Sequence, residues 1–124
     1  MYLGADSVYA INVVRNKLRL NHIKALSAEL DLDINIIEAI DNQSVIPLSK
    51  EFYKENLGEW FFDPAGWFSV GIVCCALSHR KAWKAFIESG DEVGLFLEDD
   101  AMPTFDVHSY DFNAVRHELN TLDW

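Results

Sequence analysis

The chain has 124 residues and a mass of 14.2 kDa, which is room for one compact domain with its own core and too little for two. Half of the residues are hydrophobic and 24% are charged, a balance that excludes a disordered chain and a fibrous repeat. Ten Lys and Arg against twenty Asp and Glu leave a net charge of −10, which argues against nucleic acid as a partner and against a polybasic membrane-surface protein.

In chain order, Ser7 to Val14 is a β-rich apolar run of the kind that forms a strand buried on both faces, ending near Asn12 to Val14. From Asn16 to Leu30, the apolar residues Leu18, Ile23, Leu26 and Leu30 recur at helical spacing among charged and amide residues, which predicts an amphipathic helix. Asp33 to Ile40 reads as a second strand, stopped by the turn signal Asp41-Asn42-Gln43-Ser44. A short helix from about Ser49 to Leu57 ends at Gly58. Glu59 to Phe68 has no clear period, carries Pro64, Gly66 and two tryptophans, and reads as an aromatic loop that either closes the core or stacks on a sugar or base. Ser69 is the expected N-cap of a long helix through Leu77, Trp83 and Ile87, with Gly90 as its stop. Val93 to Leu97 is another buried-strand run that leads directly into Glu98-Asp99-Asp100. Asp111 to Leu122 places Phe112, Val115, Leu119 and Leu122 on one helical face.

Strands alternating with helices predict an α/β domain with a parallel sheet flanked by helices. Ligands of such sheets bind outside the carboxyl ends of the strands. Asn12 and Arg15, Asp41, and Glu98-Asp99-Asp100 all fall at those ends.

No apolar run approaches the roughly 18 to 20 residues of a membrane span, and Met1 to Asp6 lacks the basic-then-apolar order of a signal peptide, so no transmembrane segment and a cytoplasmic location are expected. Cys74 and Cys75 are adjacent, which disfavours a disulfide between them. With no CxxC or Cys/His ligand spacing, zinc and thiol redox chemistry are not expected.

Three successive carboxylates repel one another unless a cation or basic partners offset them. In an extended segment Glu98 and Asp100 project to one side and Asp99 to the other, so the outer pair could share a ligand, and oxygen donors suit Mg2+ or Mn2+. A solvated acidic turn is the alternative. Arg15 and Arg19 lie four apart at the start of the first helix, where the dipole does not favour cations, so they want either a phosphate or a neighbouring carboxylate. Ser78 and His79 are adjacent on a helix, their side chains about 100° apart, which is not a nucleophile and base arrangement.

Four pieces then occur in order: Val8 to Arg15 with Arg19; Glu38-Ala39-Ile40-Asp41; Gly71 to His79 followed by Trp83; and Leu95-Phe96-Leu97-Glu98-Asp99-Asp100. Together they resemble glycosyltransferase family 25, the family of lipooligosaccharide and procollagen galactosyltransferases. The resemblance covers nearly the whole chain and only the N-terminal half of the usual family domain. It implies a single Rossmann-like, GT-A-type nucleotide-sugar-binding domain over residues 1–124, truncated relative to the full family domain and acting in glycosyl transfer such as lipopolysaccharide biosynthesis. It further implies a UDP-sugar donor, a glycan or glycosylated acceptor, and Mn2+ or Mg2+ at a DxD-like triplet made of Glu98, Asp99 and Asp100. Asp100 is the first choice as direct ligand. Asn12, Arg15, Arg19 and Asp41 would surround the nucleotide, and Ser78 and His79 would be donor-site residues.

No general base is identified. A homo-oligomer in which a second copy supplies the missing half is kept open, as is a non-catalytic interaction module of the same fold. A receiver-like phosphoacceptor domain fits less well, because receivers carry their acidic pair after the first strand, where this chain has Asn12 and Arg15.

The charge is unevenly placed. Residues 1–87 hold nine basic and ten acidic residues, whereas residues 88–124 hold Arg116 against ten acids.

Overall fold

The structure, a computed structural model, describes residues 3–43, 54–55 and 70–122. Its centre is strand β1 (Ser7–Asn12), six residues buried along their whole length, as the unbroken apolar run requires. β2 (Ile34–Glu38) and β3 (Gly94–Glu98) pair with it in parallel on either side, in the order β2-β1-β3. Ala10 lies opposite Ile36 on one side and Leu97 on the other, and Tyr9 lies opposite Asn35 and Phe96.

Strand periodicity sorts the two faces. Ala10 and its same-face neighbours Ile34 and Leu97 pack with Ile23, Leu26 and Leu30 of helix α1 (Lys17–Leu30). On the opposite face, Tyr9 stacks on Phe96 with centroids 5.4 Å apart, and Phe86 of helix α2 (Val70–Ser89) meets both rings edge-on. Gly94 makes this closeness tolerable, since a Cβ there would stand 2.8 Å from the Phe86 ring. The parallel sheet flanked by helices is therefore the architecture that the sequence predicts.

Local signals set most boundaries. Asn16 caps α1, its side chain accepting from the Arg19 N–H at 3.2 Å. Asp31 ends the helix in the left-handed conformation, φ 50°, and its N–H bonds back to the Ser27 carbonyl. α2 stops at Gly90, φ +77°, as expected. The expected helix from about Ser49 to Leu57 lies outside the described residues except for 54–55, which are helical, and the aromatic loop of residues 59–68 and the Ser69 cap lie outside them altogether.

Two apolar expectations change. Leu18 is 84% exposed, because α1 turns Ile23 and Leu26 onto the sheet and leaves Leu18 on the far side. The last helix, α3 (Phe112–Thr121), capped by Asp111, half-buries Phe112, Val115 and Leu119 but leaves Leu122, beyond its end, exposed; its most buried residue is Arg116. The Arg116 guanidinium donates to Asp6 and to Glu92, each at 3.0 Å, and to the Gly4 carbonyl at 3.4 Å, so α3 is clamped to the segments that precede β1 and β3. Asp6 also accepts from the Val93 and Glu92 N–H groups. These backbone bonds, Val93 first, together with Arg116, hold its carboxyl below the usual carboxylate range against the opposing effect of desolvation. Among the described residues, no helix is long and apolar enough to cross a membrane.

Candidate functional site

The carboxyl ends of β1 and β3 meet beside the N-terminal part of α1 and the middle of α2. β3 ends at Glu98, and the chain then turns, with the Ala101 N–H bonding to the Glu98 carbonyl at 3.1 Å. His22 of α1 holds this turn from the other side, its Nε2–H donating to the Ala101 carbonyl at 2.8 Å.

The three acids consequently part company. Glu98 lies opposite Ile11 in the ladder, on the α2 face of the sheet, and its Oε1 is 3.3 Å from His79 Nε2 and 3.9 Å from Cys75 Sγ. Asp99 faces α1 and is buried. Its Oδ2 accepts from Asn12 Nδ2 at 2.8 Å and its Oδ1 from Arg19 at 3.0 Å. Asp100 is exposed and reaches the same Arg19 guanidinium at 3.5 Å. Alternation holds for the neighbours Glu98 and Asp99. It fails for Asp100, because the strand has already ended, so the acids that share a partner are Asp99 and Asp100, not Glu98 and Asp100.

The two arginines are also separated. Arg15 precedes the Asn16 cap and so lies outside α1, where it forms a two-pronged pair with Asp41, Nε to Oδ2 at 2.6 Å. That pairing, followed by the Gln43 N–H, keeps the Asp41 carboxyl below its ordinary range, and Asp41 in turn raises Arg15. Each arginine thus has a carboxylate partner within the chain, the second of the two anions the sequence left open.

Ser78 and His79 point apart, as their adjacency on a helix requires. Ser78 is 2% exposed, donates to the Cys74 carbonyl at 2.6 Å and accepts from the Ile40 N–H at 2.9 Å. It ties α2 to the end of β2, a link doubled by the bond from Lys81 to the Glu38 carbonyl at 2.8 Å. His79 instead faces Glu98.

A cleft of about 220 Å3 opens over this edge, with Arg19, Cys75, His79, Glu98 and Asp99 among its lining side chains. Asn12 lies beneath it as a support for Asp99, and Arg15, Asp41 and Asp100 stand outside its lining.

Cys75 and His22 are the residues that sequence reasoning passed over. Both cysteines are free, and burial, followed for Cys75 by the Glu98 charge, pushes their thiols up. The sequence reading of no Cys/His ligand spacing does not hold at Cys75 and His79: four residues apart within α2, they occupy one helical face. The signal was present in the predicted helix, but its third member, Glu98, arrives only through the fold.

Among the described residues, a three-stranded parallel sheet with helices on both faces and a cleft carrying charged side chains at its carboxyl edge defines a Rossmann-like α/β domain. The family model of glycosyltransferase family 25 (LPS biosynthesis protein) matches residues 5–120, and the chain belongs to that family. Among curated relatives, procollagen galactosyltransferase 2 of Mus musculus and of Homo sapiens are each 27% identical over 100 residues, 79% of this chain. Procollagen galactosyltransferase 1 of Danio rerio is 26% identical over the same length. The chain covers 16% of the length of the first two and 17% of the third. No solved structure matches significantly.

Proposed function

We propose that this domain binds the nucleoside-diphosphate part of a nucleotide sugar, UDP-galactose or another UDP-hexose, for transfer to a glycan or glycosylated acceptor. The observation that carries the reading is the convergence of Arg19, Glu98 and Asp99 on one cleft at the carboxyl edge of a parallel sheet, in a chain of glycosyltransferase family 25. The named relatives that transfer galactose supply the sugar class.

The donor set at the end of β3 fits a hard divalent cation. Both oxygens of Asp99 are taken by Asn12 and Arg19, whereas the side chains of Glu98 and Asp100 are 59% and 56% exposed and keep oxygen lone pairs open. One or two carboxylates, completed by water and substrate phosphate, suffice for Mg2+ or Mn2+. Asp100, on the Arg19 side with Asp99, would therefore be the direct ligand, Glu98 on the α2 face would reach the ion only through water, and Asp99 would set the frame of Asp100 from beneath. When bound, the ion supplies charge neutralisation for the departing diphosphate. Arg19, held at the cleft by Asp99, is positioned to bind a phosphate oxygen alongside. Arg15 and Asp41, already paired, would flank the nucleotide at the neighbouring strand end.

Calorimetric titration of the chain with UDP, with and without Mn2+, tests the proposal. Metal-dependent binding that is lost in Asp100→Ala is expected. Absence of metal-dependent binding to the unaltered chain would overturn it. Donor binding without transfer or hydrolysis over a panel of acceptors would favour the non-catalytic module.

A further inference from the structure

We infer that Cys75, His79 and Glu98 form a site for a borderline-soft divalent ion of the Zn2+ type, on the α2 side of the cleft and distinct in donor chemistry from the carboxylate site that the nucleotide-sugar reading uses. The ligand atoms of the three residues all lie within 4.8 Å of one another. Two independent elements bring them there: α2 presents Cys75 and His79 one helical turn apart, and the pleat of β3 turns Glu98 to the same side.

The distances suit tetrahedral geometry. Zn2+ bonds of about 2.0 Å to nitrogen or oxygen and 2.3 Å to sulfur require neighbouring ligand atoms to stand roughly 3.3–3.8 Å apart. His79 to Glu98 is 3.3 Å, already within this range, and Cys75 to Glu98 is 3.9 Å, slightly beyond it. The remaining closure is a side-chain adjustment on an exposed cysteine and an exposed glutamate. A thiolate, imidazole and carboxylate set favours Zn2+ or Co2+ over Mg2+ and Mn2+, which prefer all-oxygen sites. Coordination displaces the Cys75 thiol proton to solvent. Three protein ligands leave a fourth position, and because all three residues line the cleft, that position is open to water or to an oxygen of a bound ligand.

The site needs no nucleotide and does not rest on the nucleotide-sugar reading, although Glu98 is common to both. The test is a Co2+ titration of the full chain without nucleotide, followed by the thiolate-to-cobalt charge-transfer absorption. One equivalent with that band, displaced by Zn2+ and not by Mg2+, is expected. Cys75→Ser should abolish the band, and His79→Gln should weaken Co2+ by about tenfold or more, since even second-shell losses reach that range. Asp100→Asn and Cys74→Ala should leave the band intact, with circular dichroism verifying the fold of each variant. Absence of the band in the unaltered chain, or its survival in Cys75→Ser, overturns the inference. Either result leaves the UDP and Mn2+ experiment at Asp100 standing on its own.

Discussion

Replacing Asp99 by alanine separates the structural acid of the triplet from its exposed neighbours. The Asp99 side chain is 8% exposed, and its two oxygens hold Asn12, itself 2% exposed, and Arg19. Without the carboxylate, Asn12 Nδ2 keeps only a 3.4 Å contact to the Asn16 carbonyl, and a buried donor so poorly satisfied costs about 1–2 kcal/mol. The Arg19 pair, half exposed on the arginine side, adds roughly 0.5–1 kcal/mol. The expected loss is therefore about 1.5–3 kcal/mol. At roughly 2.1 cal/mol/K per residue over 124 residues, this lowers Tm by about 6–12 °C. Asp100→Ala, which removes an exposed side chain, should change stability by no more than about 0.5 kcal/mol. Urea unfolding followed by circular dichroism, with thermal melts in parallel, measures both. If Asp99→Ala unfolds within about 0.5 kcal/mol of Asp100→Ala, the buried-acid account is wrong.

Ser78→Ala should cost about 1–2 kcal/mol, since the Ile40 N–H loses its acceptor while the helix backbone is otherwise unchanged; equilibrium unfolding measures it, and no loss would remove Ser78 as a structural link. Gly4→Ala should destabilise by about 1–3 kcal/mol, because Gly4 sits at φ +83° and a Cβ would lie 2.9 Å from the Phe112 carbonyl oxygen; Phe112→Ala in the same background should not relieve it, the clash being with backbone. Asp6 has a lowered carboxyl pKa in the fold, so its contribution is present above the ordinary carboxylate range and is lost as pH falls through the lowered value. Asp6→Asn should accordingly flatten the acid limb of the stability-pH curve, and a curve parallel to that of the unaltered chain would contradict the clamp. Charge-removing Arg116→Met should loosen α3 first, read as faster amide exchange in Phe112–Thr121 than in β1.

The sequence alone determined the strands β1 to β3, the helices α1 to α3 and the parallel character of the sheet. Unbroken apolar runs at Ser7 to Val14 and Val93 to Leu97, and 3.6-residue spacing between them, are local properties of the chain. The stop at Gly90 was legible for the same reason, since it acts within a turn of its own position. The nine candidate site residues were likewise readable as polar groups near the strand ends, at the start of α1 and on α2.

Tertiary structure decided what those residues do. Strand alternation predicted the opposed directions of Glu98 and Asp99, but where β3 stops is set by the turn held by His22, a residue 79 positions away, and that turn sends Asp100 to Arg19. Arg15 and Arg19 looked alike in sequence, yet one pairs with Asp41 and the other with Asp99 because a single cap residue lies between them. Arg116, a lone cation among ten acids in residues 88–124, became a buried clamp only when α3 folded back onto Asp6 and Glu92. Periodicity describes neighbours along one element, whereas the Cys75, His79 and Glu98 cluster depends on how two elements face each other. That packing places a helical thiol and imidazole against a strand-end carboxylate, and no spacing within either segment encodes it.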